Sequence, residues 1–170
     1  MNKKLYEQII RVNHAGEYGA QYIYSGQIKY TKDKKLKNEL TRIAKEEKVH
    51  LDYFENLIVK ERVRPTIMNS IWKYGGFSMG AVTALLGKDY VLACTEAVEE
   101  EIVEHYRSQL GEIDGKEKKQ FKKTIEKFLA DEDEHRSFGS QHENQSLRIK
   151  FFKEFVRKIT QTAINISEKY

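Results

Sequence analysis

The sequence predicts an all-α fold, a four-helix bundle with additional short and C-terminal helices, and three observations carry that prediction. Apolar residues recur at steps of three and four over long stretches, the period of one face of an α-helix. There is a single proline, so little interrupts those stretches. Charged residues make up 33% and apolar residues 39% of the 170 positions, the balance of long helices with solvated outer faces. A chain of this length suits one domain with a real core, and residues 1–170 are read as one.

Leu5, Ile9, Val12, Gly16, Ala20, Ile23 and Gln27 trace one face of a first helix ending near Tyr30. Glu17 lies on the same side, beside Gly16 and Ala20. Gly16, Gly19 and Gly26 each cost about 1 kcal/mol against alanine inside a helix, which predicts close approach of a neighbouring helix or a ligand. Lys32-Asp-Lys-Lys35 makes a polar turn. A second helix, from about Lys34 to Glu61, carries the stripe Leu36, Leu40, Ile43, Glu47, His50, Phe54 and Leu57, with Glu46 also within helical reach of His50. Arg64-Pro65 opens an apolar connecting segment, 65–88, with Pro65 as a helix stop or first-turn residue. Its uncharged residues 74–87 are too few to span a bilayer. With Trp72, Tyr74, Phe77 and Met79 beside flanking lysines, they suit either a buried helix or a membrane interface.

A third main helix starts near Asp89, a candidate N-cap after Gly87. Its stripe is Leu92, Thr95, Glu99, Ile102, Val103, Tyr106 and Leu110, with Glu96 as a competitor for the inner position, and Gly111 to Gly115 closes it. The fourth helix, about 116–143, aligns Phe121, Ile125, Phe128 and Leu129 with Glu132, His135 and Phe138. A last helix from about Leu147 has the apolar face Phe152, Phe155, Ile159, Ala163 and Ile166, for packing or for a membrane or partner.

Carboxylates and imidazoles thus occupy positions where core-facing helices carry leucine. A buried unpaired carboxylate is costly and calls for a counter-charge. Glu-x-x-His puts an oxygen and a nitrogen ligand on one helix face, a turn apart. The motif occurs twice, within an internal pseudo-repeat spanning about 5–61 and 89–143. Glu17 precedes Glu47 by 30 residues and Glu99 precedes Glu132 by 33, each pair with a polar turn near its midpoint. In antiparallel hairpins these residues reach one level, where four carboxylates would repel each other unless cations sat among them. One Glu from each of two helices and Glu-x-x-His from each of the other two is the known ligand pattern of ferritin-like di-iron carboxylate bundles. Oxygen and nitrogen donors without thiolate argue against structural zinc and favour two iron ions, with manganese second.

Other classes are disfavoured. The lone Cys94 forms no internal disulfide, fits a reducing compartment and reads as a small apolar core residue. A net charge of +4 permits contact with an acidic membrane. No dense basic run or zinc finger points to nucleic acid. The N-terminus has no apolar signal core, and no Gly-x-Gly-x-x-Gly fingerprint follows a strand.

Arg11-Val-Asn-His-Ala-Gly-Glu-Tyr-Gly-Ala20, Glu47-Lys-Val-His-Leu51, Ala93-Cys-Thr-Glu-Ala-Val-Glu-Glu100 with His105-Tyr106, and Asp131-Glu-Asp-Glu-His135 closely resemble the demethoxyubiquinone hydroxylase family, the Coq7/Clk-1 proteins of ubiquinone biosynthesis. The resemblance runs from Ile10 to about Glu143. It implies Glu17, Glu47, His50, Glu99, Glu132 and His135 as ligands of a di-iron monooxygenase, choosing Glu47 over Glu46 and Glu99 over Glu96. Asn13 stands where many members carry Asp. The implied reaction inserts one atom of O2 into a ring C–H of a demethoxy-polyprenyl quinone. The tail of such a substrate calls for an opening towards lipid, for which residues 74–87 and the last helix are candidates. The resemblance also implies a peripheral place on the cytoplasmic face of the inner membrane and a lipid-binding partner in quinone biosynthesis. Tyr106 falls near the site, for packing, for gating the substrate or for relaying an electron, while His105 and His14 are candidates for supporting roles around the ligands. The electron donor stays open between a separate reductase, the quinone and a nicotinamide. Competing readings are an iron oxidase or peroxidase of the ferritin or rubrerythrin type, and a metal-free helical scaffold at a membrane surface.

Overall fold

The computed structural model describes residues 1–115, 118–141 and 146–169. Among them the chain forms six helices: α1 (Lys3–Tyr30), α2 (Lys34–Lys60), α3 (Asn69–Leu86), α4 (Lys88–Glu112), α5 (Lys119–Gly139) and α6 (Leu147–Lys169). Capping side chains open the first two. Asn2 accepts from the Leu5 N–H at 2.8 Å, and Asp33 accepts from Lys35 and Leu36 at 2.8 and 3.1 Å, satisfying amides that have no partner within the helix.

Several boundaries differ from the sequence reading. α4 begins at Lys88, and its N-cap is Gly87 rather than Asp89. Gly87 turns the chain at φ 113°, a region that favours glycine. Asp89 then falls in the first turn, where a negative charge suits the helix dipole. α4 also runs through Gly111 to Glu112, leaving the turn to Gly115. α2 ends at Lys60 with Arg62 at φ 54°, so Pro65 lies in the connection and neither stops nor starts a helix. The fourth bundle helix, α5, is shorter than the 116–143 expected; residues 116–117 and 142–143 lie outside the described residues.

α1–α2 and α4–α5 form two hairpins that pack face to face, with α3 packed on α1 and α6 packed on α4 and α1. The result is a ferritin-like four-helix bundle with two accessory helices. α3 docks by near-contact of backbones: a Cβ on Gly26 would strike the Phe77 carbonyl oxygen, and one on Gly80 would strike that of Ile23. Close helix approach therefore accounts for Gly26. It does not account for Gly16, around which a Cβ would meet nothing within 4 Å. The segment 74–87 has two characters. α3 buries Gly76, Gly80 and Thr83, while Tyr74, Val82, Leu85 and Leu86 face outward and exposed. Among the described residues no helix is long and apolar enough to cross a membrane.

Two apolar clusters fill the bundle. One gathers Ile10, Phe54, Ile102, Phe121, Ile125 and Phe128, the other Tyr24, Leu36, Leu40, Ile43 and Leu92. The ionisable residues of the stripes lie in the layer between them, placed by the helical period that buries the leucines and phenylalanines on either side.

Candidate metal centre

Glu47, Glu99 and Glu132 are 0% exposed, and Glu17, His50 and His135 are 1% exposed. Glu17, Glu47, His50 and Glu132 each offer a ligand atom within 4.8 Å of the others. His135 joins them, its Nδ1 lying 2.9 Å from Glu47 Oε1 and 3.4 Å from Glu132 Oε2. Across the layer His50 Nδ1 is 2.9 Å from Glu132 Oε1 and 3.8 Å from Glu17 Oε2. Each imidazole therefore faces a carboxylate of the opposite hairpin, His50 that of Glu132 and His135 that of Glu47.

A surrounding set of hydrogen bonds holds the layer. His50 Nε2 lies 3.1 Å from Asp131 Oδ2, and His135 Nε2 lies 3.0 Å from Glu46 Oε2. An acid on the outer nitrogen fixes the ring and leaves Nδ1 to the interior. Tyr24 donates its hydroxyl to Glu99 Oε1 at 2.6 Å, and Tyr106 donates to Glu17 Oε1. Burial, and then the charges of Glu99 and Glu17 respectively, push the two phenols well above their ordinary range, so both stay donors.

Burial also pushes all four carboxyls up, with like charges adding to it: Glu47 beside Glu17, and Glu132 beside Glu99. Glu47 rises to about 7 through burial and the charge of Glu132. Burial pushes His135 down, but its hydrogen bonds to Glu132 and Glu47 and their charges outweigh that, raising it to about 12.

The residues could hold metal. Glu17, Glu47, Glu99 and Glu132 each keep one Oε2 that is buried and has no hydrogen-bond partner in the protein. Four such oxygens around two imidazole nitrogens form a hard, mixed donor set. An apolar cavity of about 470 Å³ is lined by sequence neighbours of Glu17 and Glu99 rather than by the six ionisable residues themselves. Gly16, Gly19 and Ala20 line it on α1 around Glu17, and Val98 and Ile102 line it on α4 around Glu99.

The profile of the family described as "Ubiquinone biosynthesis protein COQ7" matches residues 4–167. The chain belongs to the COQ7 family. Similar proteins include the Dictyostelium discoideum "NADPH-dependent 3-demethoxyubiquinone 3-hydroxylase, mitochondrial", 41% identical over 99% of this chain and 79% of that protein. The human protein of the same name is 39% identical over 96% of this chain and 77% of its own. The Rhodospirillum rubrum "3-demethoxyubiquinol 3-hydroxylase" is 39% identical over 79% and 64% respectively.

Within this COQ7-family bundle the six residues singled out in the sequence share one layer. Glu96 does not compete with Glu99, because it pairs with Lys153 of α6. Tyr106 reaches Glu17. His105 does not face the ligands; it lies 2.6 Å from the Gln109 amide, and burial pushes it down to about 4. His14 stacks on Tyr18 at 6.1 Å, and its Nδ1 is buried without a partner. Asn13 and Gln109 exchange two hydrogen bonds of 2.8 Å, clamping α1 to α4 one turn from the Tyr106–Glu17 contact. The sequence reading missed Tyr24, and it gave Asp131 and Glu46 no role on the histidines. A signal for the acids was present in both halves, where an acidic residue immediately precedes Glu-x-x-His.

Proposed function

We propose that this chain hydroxylates the ring of a demethoxy-polyprenyl quinone with O2, at two iron ions held by Glu17, Glu47, His50, Glu99, Glu132 and His135. The observation that carries the reading is the four buried glutamate oxygens left without a protein partner around two imidazoles. Membership of the COQ7 family, whose similar members are named as 3-demethoxyubiquinone hydroxylases, supplies the substrate class. When bound, iron supplies the redox chemistry with O2, and the reduced nicotinamide in the relatives' names is the proposed two-electron donor.

The chain's own residues bind, orient and exclude. Asp131 and Glu46 hold the histidine rings, while Tyr24 and Tyr106 each engage one oxygen of a ligand carboxylate and leave the other free. The apolar clusters above and below keep bulk water from the layer. The cavity, within the size range of small-molecule sites, would take the ring and the first part of the tail. Its lining residues Ile71, Val82, Phe155 and Ile159 are also exposed, so the mouth opens on the apolar face of α3 and α6. That face, with Tyr74, Leu85 and Phe151, would rest on the cytoplasmic side of the inner membrane as a peripheral contact and receive the substrate from lipid. An iron-storage role leaves this cavity without a use.

Two measurements test the reading. Anaerobic Fe(II) loading should give about two ions per chain, and less than roughly half an equivalent would favour a metal-free scaffold. Cells lacking the protein should accumulate the demethoxy precursor and be rescued by the wild type but not by Glu132→Ala. Unchanged quinones in those cells would remove the hydroxylase assignment.

A further inference from the structure

Outside the ligand layer, three of the buried side-chain atoms that lack a protein partner belong to residues at the C-terminal end of α1 and on the facing part of α4. They are Gln27 Oε1 on α1, Thr31 Oγ1 at its C-cap and Thr95 Oγ1 on α4. Gln27 is 0% exposed, Thr95 1% and Thr31 8%. Gln27 and Tyr24 lie a helical step of three apart on α1, with Thr31 capping its end four residues on, and Val91, Thr95 and Glu99 follow at steps of four on α4, so Gln27 shares a face with Tyr24 and Thr95 with Glu99. The two helices run antiparallel here, since Glu17 meets Tyr106 and Tyr24 meets Glu99. Gln27 Nε2 donates to the Val91 carbonyl at 3.4 Å. Thr95 therefore stands at a height between the Gln27 amide and the Glu99 carboxylate.

At the outer end, Thr31 forms the C-cap of α1 beside exposed Lys32 and Asp33. From there to Tyr24 is ~10 Å at the helical rise. Around Tyr24 pack Leu36, Leu40, Ile43 and Leu92. A buried hydroxyl or amide oxygen left unbonded costs ~1–3 kcal/mol, and ordered water is the usual remedy.

We propose that Thr31, Gln27 and Thr95 hold a file of buried waters that carries protons from solvent to the Tyr24–Glu99 pair. This rests on the hydroxylase reading above, whose reaction consumes a proton: R–H + O2 + NADPH + H⁺ → R–OH + NADP⁺ + H2O. One oxygen atom enters the new C–O–H group and the other leaves as water. The reduced nicotinamide gives two electrons as hydride, and solvent gives the remaining proton. The substrate cavity is apolar and offers no such path, so substrate and protons reach the layer from different sides.

The test uses the full-length protein. A high-resolution crystal structure of the metal-free wild type should show ordered waters within hydrogen-bonding distance of Thr95 Oγ1 and Gln27 Oε1. Thr95→Val keeps the shape and removes the hydroxyl. It should turn over about ten-fold more slowly with a larger solvent deuterium isotope effect, at unchanged iron content and unchanged KM for the quinone, while Thr95→Ser restores the rate. Absence of those waters overturns the proposal, as does Thr95→Val running at the wild-type rate with the wild-type isotope effect. A wild-type protein that hydroxylates no demethoxyquinone overturns the functional reading instead, and with it the destination of the protons.

Discussion

At the scale of single residues, the candidate metal layer is a set of charges that the protein alone does not neutralise. Burial raises the four carboxyls, and Glu47 stands at about 7. A carboxyl raised in the folded state contributes stability that is fully present below its ordinary range and lost as pH rises through the raised value. For Glu47, the rise from 4.5 to about 7 corresponds to about 3 kcal/mol lost from the metal-free fold by pH 8. His135, raised from 6.5 to about 12, keeps its proton in the fold while the unfolded chain gives its own up above about 6.5, so it adds to the same loss of stability as pH rises towards 8. Cations must displace the carboxyl protons, so affinity should be weaker at pH 6 than at pH 8, and the gain in Tm on loading should be larger at pH 8 by several degrees. Differential scanning calorimetry with and without Fe(II) or Mn(II) reads both. Asp131→Asn removes the acid from the outer nitrogen of His50. It should weaken metal binding about 10–100-fold with little loss of fold, as measured by competition titration; unchanged affinity would deny Asp131 that role.

At the scale of elements, the bundle carries its site on α1, α2, α4 and α5, and uses α3 and α6 to roof the cavity. α3 reaches α1 only because glycines stand at the crossing. Gly80→Val should cost about 3 kcal/mol, since the Cβ meets the Ile23 carbonyl and backbones do not yield easily. Gly75→Ala, with nothing within 4 Å of its Cβ, should instead gain up to about 1 kcal/mol from helix propensity. Urea denaturation of the pair discriminates crossing from composition; equal effects would show that the α1–α3 contact does not limit stability.

At the scale of the whole molecule, an exposed apolar face surrounds the mouth of the cavity on one side of the bundle. Leu85 is 70% and Phe155 61% exposed, and each apolar side chain returned to a membrane interface is worth ~1.5–3 kcal/mol. Replacing both by Asp should lower binding to acidic phospholipid vesicles at least about ten-fold, with iron content unchanged. Co-sedimentation measures this, and equal binding by the double variant would move the docking surface elsewhere.

Much of this was legible in the chain because helical periodicity is a local property. The stripe through Ile43, Glu47, His50 and Phe54 names which side chains face inward, and the repetition of Glu-x-x-His names the layer. Helix ends were less legible, because Gly87 and Asp89 are both reasonable starts and only the backbone turn chooses between them. The partners across the layer were hidden altogether. That His50 leans on Asp131, or that Tyr24 meets Glu99, depends on the register of two hairpins joined through α3, and no short stretch of sequence encodes a register. The sequence by itself determined the helices, their inner faces and six ionisable residues at core positions. Only the tertiary structure decided which carboxylate oxygens lack a partner, where the cavity opens and how α1 and α4 align, because those depend on distances between segments that lie 70 or more residues apart along the chain, as Tyr24 and Glu99 do.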